Sequence, residues 1–167
     1  MKTSTLILIT FLTLLCSCNN HNDLPGETTL PIAQTYLPVT LTLNRNDSEL
    51  VEKIKPLVDE KYIINDLSEL PQDPWGFSEA YNNINFKQNT LLVTYSVHTW
   101  EIDTYRNRYY RDNVKRTYNW SRHVGYATSY PDDEYAFTRF AILVNKIPAD
   151  AEVDFWLSLG SLNWEWD

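Results

Sequence analysis

The stretch Trp100-Glu-Ile-Asp-Thr-Tyr-Arg-Asn-Arg-Tyr-Tyr-Arg-Asp-Asn-Val-Lys-Arg-Thr-Tyr-Asn-Trp-Ser-Arg-His-Val-Gly-Tyr-Ala127 decides the fold. It is dense in aromatic and β-branched residues, which suit a pleated, half-buried surface. Asp112-Asn113 breaks it, and both residue types tolerate the positive φ of a two-residue hairpin turn. Residues 100–110 and 115–127 are therefore predicted to form one long β-hairpin. With that turn, Tyr105 faces Trp120, Asn107 faces Tyr118, Tyr109 faces Arg116 and Asp103 faces Arg122. On the opposite side Arg106 faces Asn119, Arg108 faces Thr117, Thr104 faces Ser121 and Ile102 faces His123. One face is aromatic and the other polar and mostly basic; a slip of one residue would destroy that sorting.

Outward from the hairpin the pattern stays β-rich. Leu91-Leu-Val-Thr-Tyr95 is a nearly continuous apolar run, as expected of a central strand buried on both faces. Phe137 to Val144 reads the same way. Val153, Phe155, Leu157 and Leu159 alternate with Glu152, Asp154, Trp156 and Ser158, which predicts a one-sided strand. Upstream, Leu37 to Leu43 alternates with threonine as an edge strand does, and Tyr62 to Ile64 is a short strand. Asp47 or Ser48 is placed to cap a short helix carrying Leu50, Val51 and Ile54, which Pro56 ends or kinks. Asp73-Pro74 opens a second helix, with Phe77, Ala80, Tyr81 and Ile84 on one face. The expected fold is α+β: a single domain over residues 37–167, with a mostly antiparallel sheet and one or two short helices.

The N-terminus reads as an address. Lys2 precedes the apolar run Leu6 to Leu15, which has the length of a signal h-region. As a helix it rises only about 15 Å, half of a hydrocarbon core, so it does not span a membrane. Leu15-Cys16-Ser17-Cys18 resembles the bacterial lipobox, which implies removal of residues 1–17 and acylation of Cys18. Long acyl chains at about 0.8 kcal/mol per methylene anchor a chain firmly. Loss of Cys16 and acylation of Cys18 leave no free thiol, excluding cysteine nucleophiles, Cys–zinc sites and disulfides. Residues 18–36, with Pro25, Gly26 and Pro31, read as a lipidated cysteine followed by a flexible tether. His21, Asp23 and Glu27 are then solvated tether residues rather than metal ligands.

Composition narrows the chemistry. The chain of 167 residues has 14 Lys+Arg against 22 Asp+Glu, and loss of Lys2 takes its formal charge from −8 to −9. That argues against nucleic-acid binding, which relies on basic surface. With four glycines there is no phosphate loop or dinucleotide turn, and no cofactor or metal is expected. The absence of a GxSxG pattern, with only His98 and His123 as bases beyond the tether, disfavours a hydrolase triad. Glu101 and Asp103, two apart on one strand, lie about 6–7 Å apart, but glycosidase carboxylates must flank a bond from opposite sides. His98 and Glu101 point to opposite strand faces, and Asp132-Asp133-Glu134 lacks the spaced ligands of a calcium loop.

Six of the thirteen basic residues beyond Lys2 lie between Arg106 and Arg122. Tyr105, Trp120 and Arg122 have the chemistry to stack on a sugar or planar group. Packing on the core is the competing reading, and four large aromatics on one face are what a core needs. Arg106, Arg108, Lys115 and His123 on the other face either attract an anionic ligand or form a solvated surface. Trp164-Glu165-Trp166-Asp167 is either a clamp over the sheet end or a pair of aromatics for a partner.

The mature chain resembles a family of small, uncharacterised cell-envelope lipoproteins of Bacteroides-type bacteria. Tyr62-Ile-Ile-Asn-Asp66, Phe77-Ser-Glu-Ala-Tyr-Asn-Asn-Ile-Asn-Phe86, Asn89-Thr-Leu-Leu-Val-Thr-Tyr95, Ile102-Asp-Thr-Tyr-Arg-Asn-Arg108 and Phe140-Ala-Ile-Leu-Val-Asn-Lys-Ile-Pro148 carry the likeness. The order of strands is also loosely similar to the C-terminal domain of bacterial protease-complex inhibitor proteins, without their Gly-rich segment. The expectation is a non-enzymatic binding or structural module, held at the membrane by Cys18, facing an envelope protein or glycan. The outer membrane of the cell envelope is the expected location. The rival expectations are a glycan hydrolase using Glu101 and Asp103, or an inhibitor-like domain.

Overall fold

The computed structural model describes residues 24–71 and 81–160. Among these residues, eight strands form two four-stranded sheets. The first has the order β1 (Glu27–Thr29), β5 (Trp100–Asp112), β6 (Thr117–Ser129), β8 (Val153–Gly160). The second has the order β2 (Ile32–Asn44), β7 (Glu134–Asn145), β4 (Asn89–His98), β3 (Lys61–Ile64). Every pairing is antiparallel except β6 with β8, which is parallel.

Two cores explain this layering. Tyr109, Trp120, Val124, Val153 and Phe155 of the first sheet pack against Leu92, Phe140, Ile142 and Val144 of the second. The other face of the second sheet presents Leu91, Val93, Tyr95, Phe137 and Ala141 to Ile54, Leu57 and Tyr81. Strands β4 and β7 therefore lie between two apolar layers, as their nearly continuous apolar runs require. The sequence reading expected one largely antiparallel sheet. Two sheets form because the hairpin's aromatic face and both faces of β4 and β7 all need partners, which a single sheet cannot supply.

Helix α1 (Ser48–Ile54) starts where expected. The Asp47 carboxylate accepts from the Leu50 amide at 3.1 Å, and Ile54 is buried beneath it. Pro56 follows in a short 3-10 turn, Lys55–Leu57. Pro38 falls at the irregularity between Tyr36 and Val39 on β2, an edge strand, where its missing N–H costs no ladder bond. The helix expected from Asp73 lies largely outside the described residues, as does Trp164-Glu165-Trp166-Asp167. Cys18 and the segment expected to be a signal lie outside them too.

Two expectations are corrected. The tether assigned to residues 18–36 overlaps the folded domain. Glu27 to Thr29 pair with Tyr110 to Asp112, and Ile32 to Tyr36 pair with Ala141 to Val144. Leu30, Ile32 and Tyr36 pack on the cores, so β pairing across long sequence separations overrides the local Pro and Gly signals. The hairpin register also differs. The turn occupies Asn113–Arg116, and Tyr109, not Tyr105, faces Trp120. Asp112 makes the turn by accepting from the Val114 and Lys115 amides, both at 2.9 Å, so it closes β5 instead of forming the tip.

Candidate functional site

From Thr104 to Asp112 the observed register still sorts the hairpin into the same two faces, because the slide there is an even number of residues. At the irregularities around Ile102 the sorting breaks, and Ile102, expected on the polar face, packs on the core. The inner face is closed. Trp120 is fully buried, and its indole N–H donates to Asn107 Oδ1 at 2.8 Å. Tyr105 packs on Phe140, with ring centroids 5.3 Å apart, and Tyr109 stacks on Tyr118. Burial pushes the Tyr105 and Tyr109 phenols well above the ordinary tyrosine range.

Arg122 lies in the same inter-sheet space, 5 % exposed, with its guanidinium over Trp120 and Phe140. Its Nε donates to the Trp156 carbonyl at 3.4 Å, and Nη1 has no hydrogen-bond partner. Burial lowers its pKa to about 10. The expected Asp103–Arg122 pair does not form: Asn107 faces Arg122, while Asp103 is exposed further along β5. Tyr105, Trp120 and Arg122, proposed from sequence as ligand residues, are thus core residues. The physical reason is the second sheet, which covers the face they share.

Arg106 and Arg108 point the other way, onto the outer face of the first sheet, with Tyr110. Register places them in rows across β5, β6 and β8: Tyr110, Asn119, Asp154; then Arg108, Ser121, Trp156; then Arg106, His123, Ser158. Neither Tyr110 nor Trp156 belongs to a core cluster, and no described element covers this face.

Three sets of contacts hold it in shape. The Arg108 guanidinium sits 4.4 Å over the Tyr110 ring and pairs with Glu27 at 2.8 Å. Trp156, 54 % exposed, donates from its indole N–H to Asn119 Oδ1 at 3.3 Å. Asn119 is itself buried and donates to the Thr117 hydroxyl and carbonyl. His123 Nδ1 and the Ser158 hydroxyl lie 2.8 Å apart. The aromatic side chains are thus oriented before any ligand arrives. Sequence reasoning listed Trp156 only as the polar-side member of an alternating strand. Its signal was a tryptophan at a position where alternation calls for a polar residue.

The other candidates stand apart from this face. Glu101 and Asp103 are exposed near the irregular start of β5, and Glu101 accepts from Thr128 Oγ1 at 3.4 Å. A recess of about 60 Å³ opens between the sheets beside His98, Trp100, Leu157 and Leu159. It has room for a few waters, carries no carboxylate, and is far smaller than the roughly 300–1,000 Å³ of small-molecule sites. His98 on its wall is tied at both ring nitrogens: Nδ1 lies 2.6 Å from the Trp100 carbonyl and Nε2 lies 2.8 Å from Thr138 Oγ1. A carbonyl only accepts, so Nδ1 carries the proton and Thr138 donates to Nε2. Burial lowers the His98 pKa and keeps the ring neutral. Among the described residues, no group of three or more His, Cys, Asp or Glu is placed to hold a metal ion. No described helix is long and apolar enough to cross a membrane.

Comparison with protein-family models, with curated proteins and with solved structures returns no match for this chain.

Proposed function

We propose that this protein is a lipid-anchored module of the bacterial cell envelope that binds glycan, without catalysis, on the outer face of its first sheet. The observation that carries the reading is Trp156: a large aromatic, more than half exposed, yet held by a buried asparagine. An exposed indole with a fixed orientation stacks on a sugar ring at little entropic cost. The Arg108–Tyr110 stack lies two strands away in the same face, and Ser121 between them supplies a hydroxyl. The lipobox-like tetrad ending at Cys18 supports the anchor, and the likeness to Bacteroides-type envelope lipoproteins supports the setting.

Retardation in native gels containing envelope polysaccharide tests the binding reading. Wild type is expected to be retarded and Trp156→Ala to migrate freely, with both melting alike. Equal migration of the two, or capture of an envelope protein by both with no retardation, would overturn it. For the anchor, fatty-acid labelling of wild type but not of Cys18→Ala is expected; equal labelling of both would sink it.

A further inference from the structure

We infer that the glycan read by this face carries carboxylate groups, and that Arg106 recognises them. The inference rests on the glycan reading above and deepens it. Arg106 is exposed on β5, and among the described residues its guanidinium has neither a hydrogen bond nor an ion pair. Its neighbour Arg108, two residues along and about 7 Å away on the same face, is already neutralised by Glu27. Among the described residues, Arg106 is therefore a cation of the platform with no ion pair. His123 lies opposite it on β6 and Ser158 beyond that on β8, so this row offers a charge flanked by polar atoms.

Two acidic residues of the face sit at the other end, while the exposed Glu101 and Asp103 precede Arg106 on β5, at the irregularities on either side of Ile102. Asp154 shares a row with Asn119 and Tyr110, and Asp112 follows Tyr110 on the same side of β5. Four residues along the strand put the Asp154 row about 13 Å from the Arg106 row. That exceeds the roughly 8 Å screening length at physiological salt, so Asp154 does not cancel the charge of Arg106. A planar guanidinium fork matches a carboxylate with two parallel hydrogen bonds, a geometry that a neutral sugar cannot use. Stacking on Trp156 and the Arg108–Tyr110 pair would then hold the ring, and Arg106 would select its charge.

The test measures binding of polygalacturonate, alginate and hyaluronate, alongside fully methyl-esterified polygalacturonate and a neutral glucan. Proteins are wild type, Arg106→Gln and Trp156→Ala. Methyl esterification keeps the ring and removes the charge. Wild type is expected to bind at least one acidic polymer about tenfold more tightly than the neutral ones, the worth of one charge-assisted contact. Arg106→Gln should shrink that ratio to about twofold, and Trp156→Ala should weaken acidic and neutral binding alike. Equal binding of acidic and neutral polymers by wild type, or an unchanged ratio in Arg106→Gln, overturns the inference and leaves the glycan reading standing. Binding to none of the five overturns both.

Discussion

Arg122 carries a guanidinium into the space between the sheets with rings on its flanks, the charge of Asp59 acting on it, and no ion pair among the described residues. Desolvating such a group is costly, and aromatic faces return only part of that. Arg122→Met, which keeps the length and removes the charge, is expected to leave the melting temperature unchanged or raise it. A loss above about 2 kcal/mol in urea unfolding would instead mean that the charge stabilises the fold. His98 makes the opposite case. Its folded pKa is depressed by burial, so the unfolded chain binds a proton more readily. Its contribution is complete above about pH 6.5 and declines as pH falls through that value towards the lower folded pKa. Stability measured from pH 7.5 to 5 should fall for wild type, with a shallower decline in His98→Gln. Parallel declines would assign the acid sensitivity to other groups.

At the scale of elements, the hairpin shows which sequence signals were readable. Both strands were legible from composition and alternation, and the two faces were assigned correctly from Thr104 onward, whereas Ile102, assigned to the polar face, packs on the core. The pairing was not, because Asp112 was read as the turn tip when its carboxylate closes a four-residue loop. The loop leaves Arg116 at φ 63°, in the left-handed region. A non-glycine residue there is disfavoured by about 1–2 kcal/mol, partly offset in glycine by its freer unfolded chain. Arg116→Gly is expected to raise stability by up to about 1 kcal/mol, read from the urea midpoint; a lowered midpoint would show that the arginine side chain contributes there. Strand β8 was likewise half legible. Its first inward residues, Val153 and Phe155, are buried, but Leu157 and Leu159 are 38 % and 47 % exposed beside the recess. Alternation sets which way a side chain points and leaves open whether anything lies there to meet it.

For the whole molecule, the domain boundary is the consequential correction. Residues 24–36 contribute β1, the start of β2, the Glu27–Arg108 pair and the packing of Leu30, Ile32 and Tyr36. Each partly buried apolar side chain is worth about 1–3 kcal/mol. A chain beginning at Leu37 is therefore expected to be less stable than one beginning at Leu24 by at least about 3 kcal/mol. Equal urea midpoints would restore the longer tether. The sequence by itself determined the strand content, α1 with its Asp47 cap, the doubly buried β4 and β7, and the sorting of the hairpin into two faces. These follow from the two-residue period of a strand and from capping chemistry, both of which are local. Only the tertiary structure decided that the aromatic face is core and that no described element covers the basic face. That choice depends on which face the second sheet covers, and β2, β3, β4 and β7 lie far from the hairpin face in local pattern, so no period within the hairpin encodes it.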